Sequence, residues 1–370
     1  PAAAVIALTA AVVAAAALAG GRGLRLGSAG PGAPELAPGS RYNRDAAFVA
    51  RHFGVTSHPF AILVRTPPDG CAAFETRALA DRLGWALRQV PGVRSTGSLA
   101  DAVRRITADS FEGNPRWLTL PRDQRLLDAA AQQAVTRNPD LFDPDCSVVP
   151  VVAQLEDHDA ATLSRVAGAA ASLAAAEGGP GREVILAAGA GAFEAATNEV
   201  VAGAAPAMAA LVYLAVVLLG RAALGSFRAA AVAVIPLAVT SVLCVALMAR
   251  LGIGVRLATL PVIALGVGIP DYALYLLSVQ LAHRRAGVPL AEAHRRARRF
   301  TGRSVALVSL VLAAGVVTWT ASPIALQVEM GILLAFMFLG NAASALLLVP
   351  ALSRVLLAEE GAWAFGPGAR

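Results

Sequence analysis

Asp271 is the residue of this chain whose type and position most directly imply chemistry. It lies in "VIALGVGIPDYALYLLSVQL", residues 262–281, about fourteen residues into an apolar stretch of about twenty-five that begins near residue 257. A carboxyl group near a bilayer midplane costs about 2.5–3.5 kcal/mol on insertion scales, so it is tolerated where it faces a bundle interior, a partner or water. At about 100° per residue, Ala264, Gly268, Asp271, Tyr275 and Ser278 share one helical stripe, small at one end and polar at the other. Small residues there, with Gly266 nearby, let a neighbouring helix approach and shield the acid. Tyr275 reaches the carboxyl from i+4, while Tyr272 points aside toward another neighbour. Pro270 cannot donate a backbone bond to Gly266, so a kink or local opening with access to water is expected beside the acid. The chemistry this supports is reversible protonation of Asp271.

Other polar groups at membrane depth are Ser309, Thr318 and Asn341, each of which a helix can satisfy by bonding to its own backbone. Glu329 falls at the outer end of the last apolar stretch, an interfacial position. The five histidines and "DHD" at 157–159 form no nucleophile elbow, metal spacing or phosphate loop, so neither an enzyme nor a cofactor is expected.

These residues need a membrane bundle to hold them. The chain has 370 residues, 56% hydrophobic and 15% charged, with mean hydropathy +0.62, too apolar for a soluble protein of this size. Aromatics are only 5%, which favours helical spans over an aromatic-girdled barrel. Apolar runs long enough to cross a bilayer occur at 2–20, 204–220, 229–249, 257–281, 304–321 and 329–356, one followed by five. All 31 basic residues are arginine, and seven of them lie between Arg284 and Arg303, so the net charge of +6 reflects membrane topology and no nucleic-acid partner is expected. With 282–303 as a cytoplasmic loop, both termini are cytoplasmic and the block 22–203 is external. The expected domains are thus a first span at 1–21, the external block, a five-helix bundle at 204–356 and a tail at 357–370.

Within the external block, "FAILVRT" (60–66), a helix at 71–90 and "GVRSTGSL" (92–99) are followed by a polar insertion at about 100–146. "SVVPVVAQL" (147–155), a helix at 159–178 and "EVILAAG" (183–189) repeat the pattern, so two βαβ units suggest a split ferredoxin-like α/β domain. Cys71 and Cys146 both fall in this block and are able to pair if it faces an oxidising compartment; their spacing leaves the distance between them open. Cys244 falls inside a span, where packing is its expected role.

"LPVIALGVGIPDYALYLLS" (260–278), "TGRSVALVSLVLAAG" (301–315) and "TWTASPIALQVEMGILLAFMFLGNAASALLLVPAL" (318–352), in this order, resemble the resistance, nodulation and division (RND) superfamily of proton-driven exporters, near its hydrophobe-exporting MMPL-like branch. "DHDAATL" (157–163) and "AAGAGAFEAATNEVV" (187–201) are similar to porter-domain stretches of the same group. The resemblance covers nearly the whole chain as one repeat half, matching the C-terminal one. It implies that Asp271 is a proton-relay acid, with Tyr272 beside it and the Ser309 hydroxyl approaching it, in an inner membrane with the large domain periplasmic. Pro270 departs from the family pattern, where a small residue such as Val stands. The resemblance also implies a partner, either a matching N-terminal half or a second copy, because the relay is completed by the other half's helix.

The expected function is export of a hydrophobic or amphipathic, lipid-like substrate driven by the proton-motive force. The alternative is a non-transporting lipid or sterol sensor on the same fold, which has no need of a midplane acid. An accessory subunit of protein translocation shares the one-plus-five order but carries an arginine-bearing stretch after its acid that is missing here.

Overall fold

The computed structural model describes residues 2–27, 32–56, 59–179, 181–257, 259–260 and 272–358. Asp271, Pro270, Gly268 and Gly266, together with Ala264, lie outside the described residues. The chain divides into two compact units, one of Gly27–Glu199 and one of Pro1–Leu26 with Val200–Arg370.

The Gly27–Glu199 unit is built on a four-stranded sheet in which every neighbouring pair is antiparallel: β1 (Phe60–Arg65), β2 (Val93–Ser98), β3 (Val148–Leu155) and β4 (Glu183–Ala188), in the order β2-β3-β1-β4. β1 and β2 therefore run the same way with β3 between them, and β3 and β4 the same way with β1 between them. Along β3, Val149, Val151, Ala153 and Leu155 are buried while Val148, Pro150, Val152 and Gln154 are not, the period of two that turns alternate side chains to opposite faces. The buried set packs against helices α3 (Phe74–Arg88), which joins β1 to β2, and α6 (Ala160–Glu177), which joins β3 to β4. Burial of Leu79, Ala80, Leu83 and Leu87 in α3 follows the 3.6-residue helical repeat.

A short helix α2 (Arg41–Phe53) precedes the sheet, and the insertion between β2 and β3 folds as α4 (Leu99–Ser110) and α5 (Gln124–Arg137). Their starts are set by side-chain caps. Ser98 accepts from the Asp101 N–H at 3.3 Å, and Asp123 accepts from those of Arg125 and Leu126 at 2.9 and 3.2 Å. Each such cap is worth about 1 kcal/mol.

The other unit is a multi-pass membrane bundle. Among the described residues, five helices are long and apolar enough to cross a membrane: Ala2–Gly21, Gly189–Leu224, Phe227–Leu251, Leu290–Ala321 and Ala325–Leu356. The first lies within α1 (Ala2–Gly23); the others correspond to α7 (Gly189–Leu224), α8 (Phe227–Leu251), α10 (Leu290–Val317, followed by a 3-10 turn at Thr318–Ala321) and α11 (Ala325–Leu356). Between them, α9 (Tyr272–Arg285) is the described part of the stretch expected at 257–281. Helix α11 packs against α8, α9 and α10, so it is the bundle's central post.

The arginine-rich segment differs from the loop expected over 282–303. Helix α9 runs through Arg285 and α10 begins at Leu290, so only four residues, 286–289, connect them. Alanine, glutamate and arginine are good helix formers. Here Glu292 pairs with Arg295 at 3.2 Å and with Arg296 at 3.0 Å, while Ala293 and Ala297 are fully buried on the inner face. A span and its charged flank are thus one continuous helix.

Candidate functional site

Of the residues assigned to the proton site, the described ones are Tyr272, Tyr275 and Ser309, and the fold treats them differently. Tyr272, the first residue of α9, is 5% exposed and packs in the core shared with Ala273, Leu276, Val305 and Ala342. Its hydroxyl finds no hydrogen-bond partner among the described residues. Tyr275 is 51% exposed, and with the exposed Ser278, whose Oγ donates to the Tyr275 carbonyl at 2.9 Å, it forms the outward side of α9. Among the described residues, therefore, nothing supplies the shielding expected for the stripe of Tyr275 and Ser278. The inward side belongs to Tyr272, Ala273, Leu276, Leu277, Gln280 and Leu281, because the larger apolar side chains follow that helical repeat.

Ser309 is buried, and its hydroxyl donates to the carbonyl of Ala306 at 2.9 Å, which satisfies it within its own helix. It stands one turn beyond Val305, which belongs to the Tyr272 core. Thr318 likewise donates to Gly315 at 2.6 Å. Glu329, expected at an interface, forms an ion pair with Arg256.

Asn341 behaves otherwise. It is 6% exposed on α11, adjacent to Ala342 of the Tyr272 core, and neither its amide nitrogen nor its oxygen is hydrogen-bonded among the described residues. A buried polar group left without a partner costs about 1–3 kcal/mol. Asn341 was legible in the sequence only as a polar residue at depth.

A second polar pair was not legible. Gln280 is fully buried, and its Oε1 accepts from His294 Nδ1 at 2.9 Å, linking α9 to α10. The amide nitrogen of Gln280 and Nε2 of His294 remain without partners among the described residues. The signal was the position of Gln280, seven residues after Ala273 and four after Leu276, on the same side of the helix as both.

The structure joins Cys71 and Cys146, 75 positions apart in sequence, as a disulfide with Cα atoms 5.1 Å apart. The bridge ties the start of α3 to the turn before β3. Arg77 reinforces it: this buried guanidinium donates to the carbonyls of Cys71 and Leu127 at 3.1 and 3.0 Å and to Asp128 at 3.2 Å. Burial lowers the Arg77 pKa from its ordinary value, against the opposing pull of Asp128. Beyond the bridge, Cys146 adopts a left-handed backbone, φ 48°, in a turn organised by Asp143. Asp143 accepts from the backbone N–H groups of Ser147 and Val148 and from the Ser147 hydroxyl, all at 2.7 Å. Burial works to raise the Asp143 pKa, but these hydrogen bonds outweigh it and hold the carboxyl below its usual range.

Among the described residues, no cluster of three or more metal-ligating side chains occurs. Compared with protein-family models and with curated proteins, the chain matches neither a family nor a relative.

Proposed function

We propose that the chain is half of a proton-driven exporter of the RND type, moving a hydrophobic or amphipathic substrate out of a bacterial inner membrane. Asp271 carries the proton. The observation that carries this reading is a pair of buried polar groups in the bundle that lack partners among the described residues. The Tyr272 hydroxyl, adjacent to Asp271 in sequence, and the Asn341 amide, adjacent in sequence to Ala342 of the Tyr272 core, are both buried in the membrane bundle without partners among the described residues. Polar groups kept at depth at a cost of about 1–3 kcal/mol each are what a proton-handling site requires, since they solvate a carboxyl in both of its charge states.

Two further features support the reading. The strand order β2-β3-β1-β4, with helices joining β1 to β2 and β3 to β4, supports the reading of a split βαβ, ferredoxin-like porter unit. The five apolar helices are consistent with a one-plus-five order in which the stretch at 257–281 is the sixth span and the sheet unit falls between the first and second. In this topology the sheet unit is periplasmic, both termini are cytoplasmic, and the exposed Tyr275 and Ser278 side of α9 faces a matching half or a second copy.

A proton falling through about 150 mV supplies roughly 3.5 kcal/mol, enough to bias a two-state element. The test is proton uptake into proteoliposomes holding a pH-sensitive dye, under an imposed gradient. Asp271→Asn is expected to lower the protein-dependent flux at least about tenfold, because a relay group that cannot ionise carries no proton. Flux equal to that of the unmodified chain would end the relay proposal.

A further inference from the structure

The sheet unit contains a cavity of about 490 Å3 that none of the chemistry above uses. It opens where α4 and the end of α5 overhang β2 and β3. Its volume is within the range of about 300–1,000 Å3 typical of small-molecule sites. Pro150 and Val152 form its floor, projecting from the sheet face opposite the packed core, and Ile106 and Leu141 contribute apolar walls.

The charged lining consists of three aspartates and two arginines. Asp101 is already engaged: it is buried, it accepts from the Ser98 hydroxyl at 2.9 Å, and Arg88 lies 3.6 Å away. Arg105, Asp109, Arg137 and Asp140 are exposed, and among the described residues none of the four makes an ion pair. Two cations and two anions left unpaired around one apolar floor favour a ligand that offers both signs. A purely anionic head meets two arginines but also two carboxylates, and a purely cationic head meets the reverse.

We propose that this cavity binds a zwitterionic amphiphile. Its apolar part lies against Ile106, Leu141, Pro150 and Val152, its anionic centre between Arg105 and Arg137, and its cationic centre toward Asp109 and Asp140. The site deepens the export reading, on which the expectation of a lipid-like cargo rests, by giving that cargo a headgroup class.

The test is direct binding to the full chain held in nanodiscs, with no proton gradient. The probe is dihexanoyl phosphocholine, kept monomeric, against dihexanoyl phosphoglycerol as the purely anionic counterpart. The unmodified chain is expected to prefer the zwitterion by about tenfold, the equivalent of one charge-assisted contact. Val152→Trp, which fills the cavity and leaves every charge in place, is expected to weaken zwitterion binding at least about tenfold. The double variant Arg105→Gln with Arg137→Gln, at exposed positions that leave the core intact, is expected to erase the preference between the two probes. Equal binding of both probes by the unmodified chain would overturn the proposal, as would undiminished binding by Val152→Trp in protein whose circular dichroism is unchanged. Because no gradient is involved, an unchanged proton flux in Asp271→Asn leaves this result standing. A failed binding test likewise leaves the proton relay standing.

Discussion

Asp143 gathers three hydrogen bonds of 2.7 Å into one turn, and its charge is therefore part of what holds the Cys146 segment in its left-handed conformation. Its folded-state pKa is lowered, so the stabilisation it gives is fully present above the ordinary carboxylate pKa of about 4 and is lost as pH falls through the folded value. Asp143→Asn is accordingly expected to destabilise the chain by about 1–2 kcal/mol at pH 7 and by nearly nothing once the pH is below the folded value. Denaturant unfolding of the two proteins at both pH values checks this. Curves that stay separated in acid would mean that the asparagine disturbs the turn by shape alone. Nothing in "RNPDLFDPDCSVV" marks Asp143 above Asp140 or Asp145, because its role depends on which backbone N–H groups the folded turn presents to it. The same holds in the bundle. Tyr275 is placed by the sequence on the shielded stripe and Tyr272 aside from it, but the packing of Leu276, Leu277 and Leu281 buries Tyr272 and leaves Tyr275 exposed.

Elements were far more legible than contacts. The strands expected at 60–66, 92–99, 147–155 and 183–189 match β1 to β4 to within a residue or so at each end, since alternation and β-branched runs are local signals. The arginine segment is mostly helical where the arginine count alone predicts a cytoplasmic loop, because the alanines at 293 and 297 give it an apolar face to bury. Close approach between helices was also hidden. A Cβ built on Gly331 of α11 would lie 2.7 Å from the Val316 carbonyl oxygen and 3.0 Å from the Trp319 Cβ, at the turn that ends α10. These atoms belong to backbone and to a side-chain root, which cannot swing aside. Gly331→Ala is therefore expected to lower stability by about 1–3 kcal/mol, the usual cost of overpacking. Gly315→Ala, with nothing within 4 Å of the added carbon, should be neutral or gain up to about 1 kcal/mol from helix propensity. Thermal unfolding in one detergent distinguishes the two, and equal midpoints would contradict the tight helix contact.

At the scale of the whole molecule, the exposed side of α9 is where the proposed export function and the fold meet. A polar stripe on a membrane helix is costly against lipid, and Tyr275 and Ser278 present one that none of the described residues covers. The proposal that a second copy or a matching half covers it leads to a cross-linking prediction. Background thiols are few, since Cys71 and Cys146 are joined and Cys244 is buried. With the 370-residue chain expressed alone in membranes, Ser278→Cys is expected to give an oxidant-dependent disulfide dimer. Leu276→Cys, at a fully buried position on the opposite side of the same helix, is expected to give none. Dimer from both positions would point to random collision in the bilayer. Dimer from neither would remove α9 as the contact between halves, and with it the geometry in which a facing helix completes the relay at Asp271.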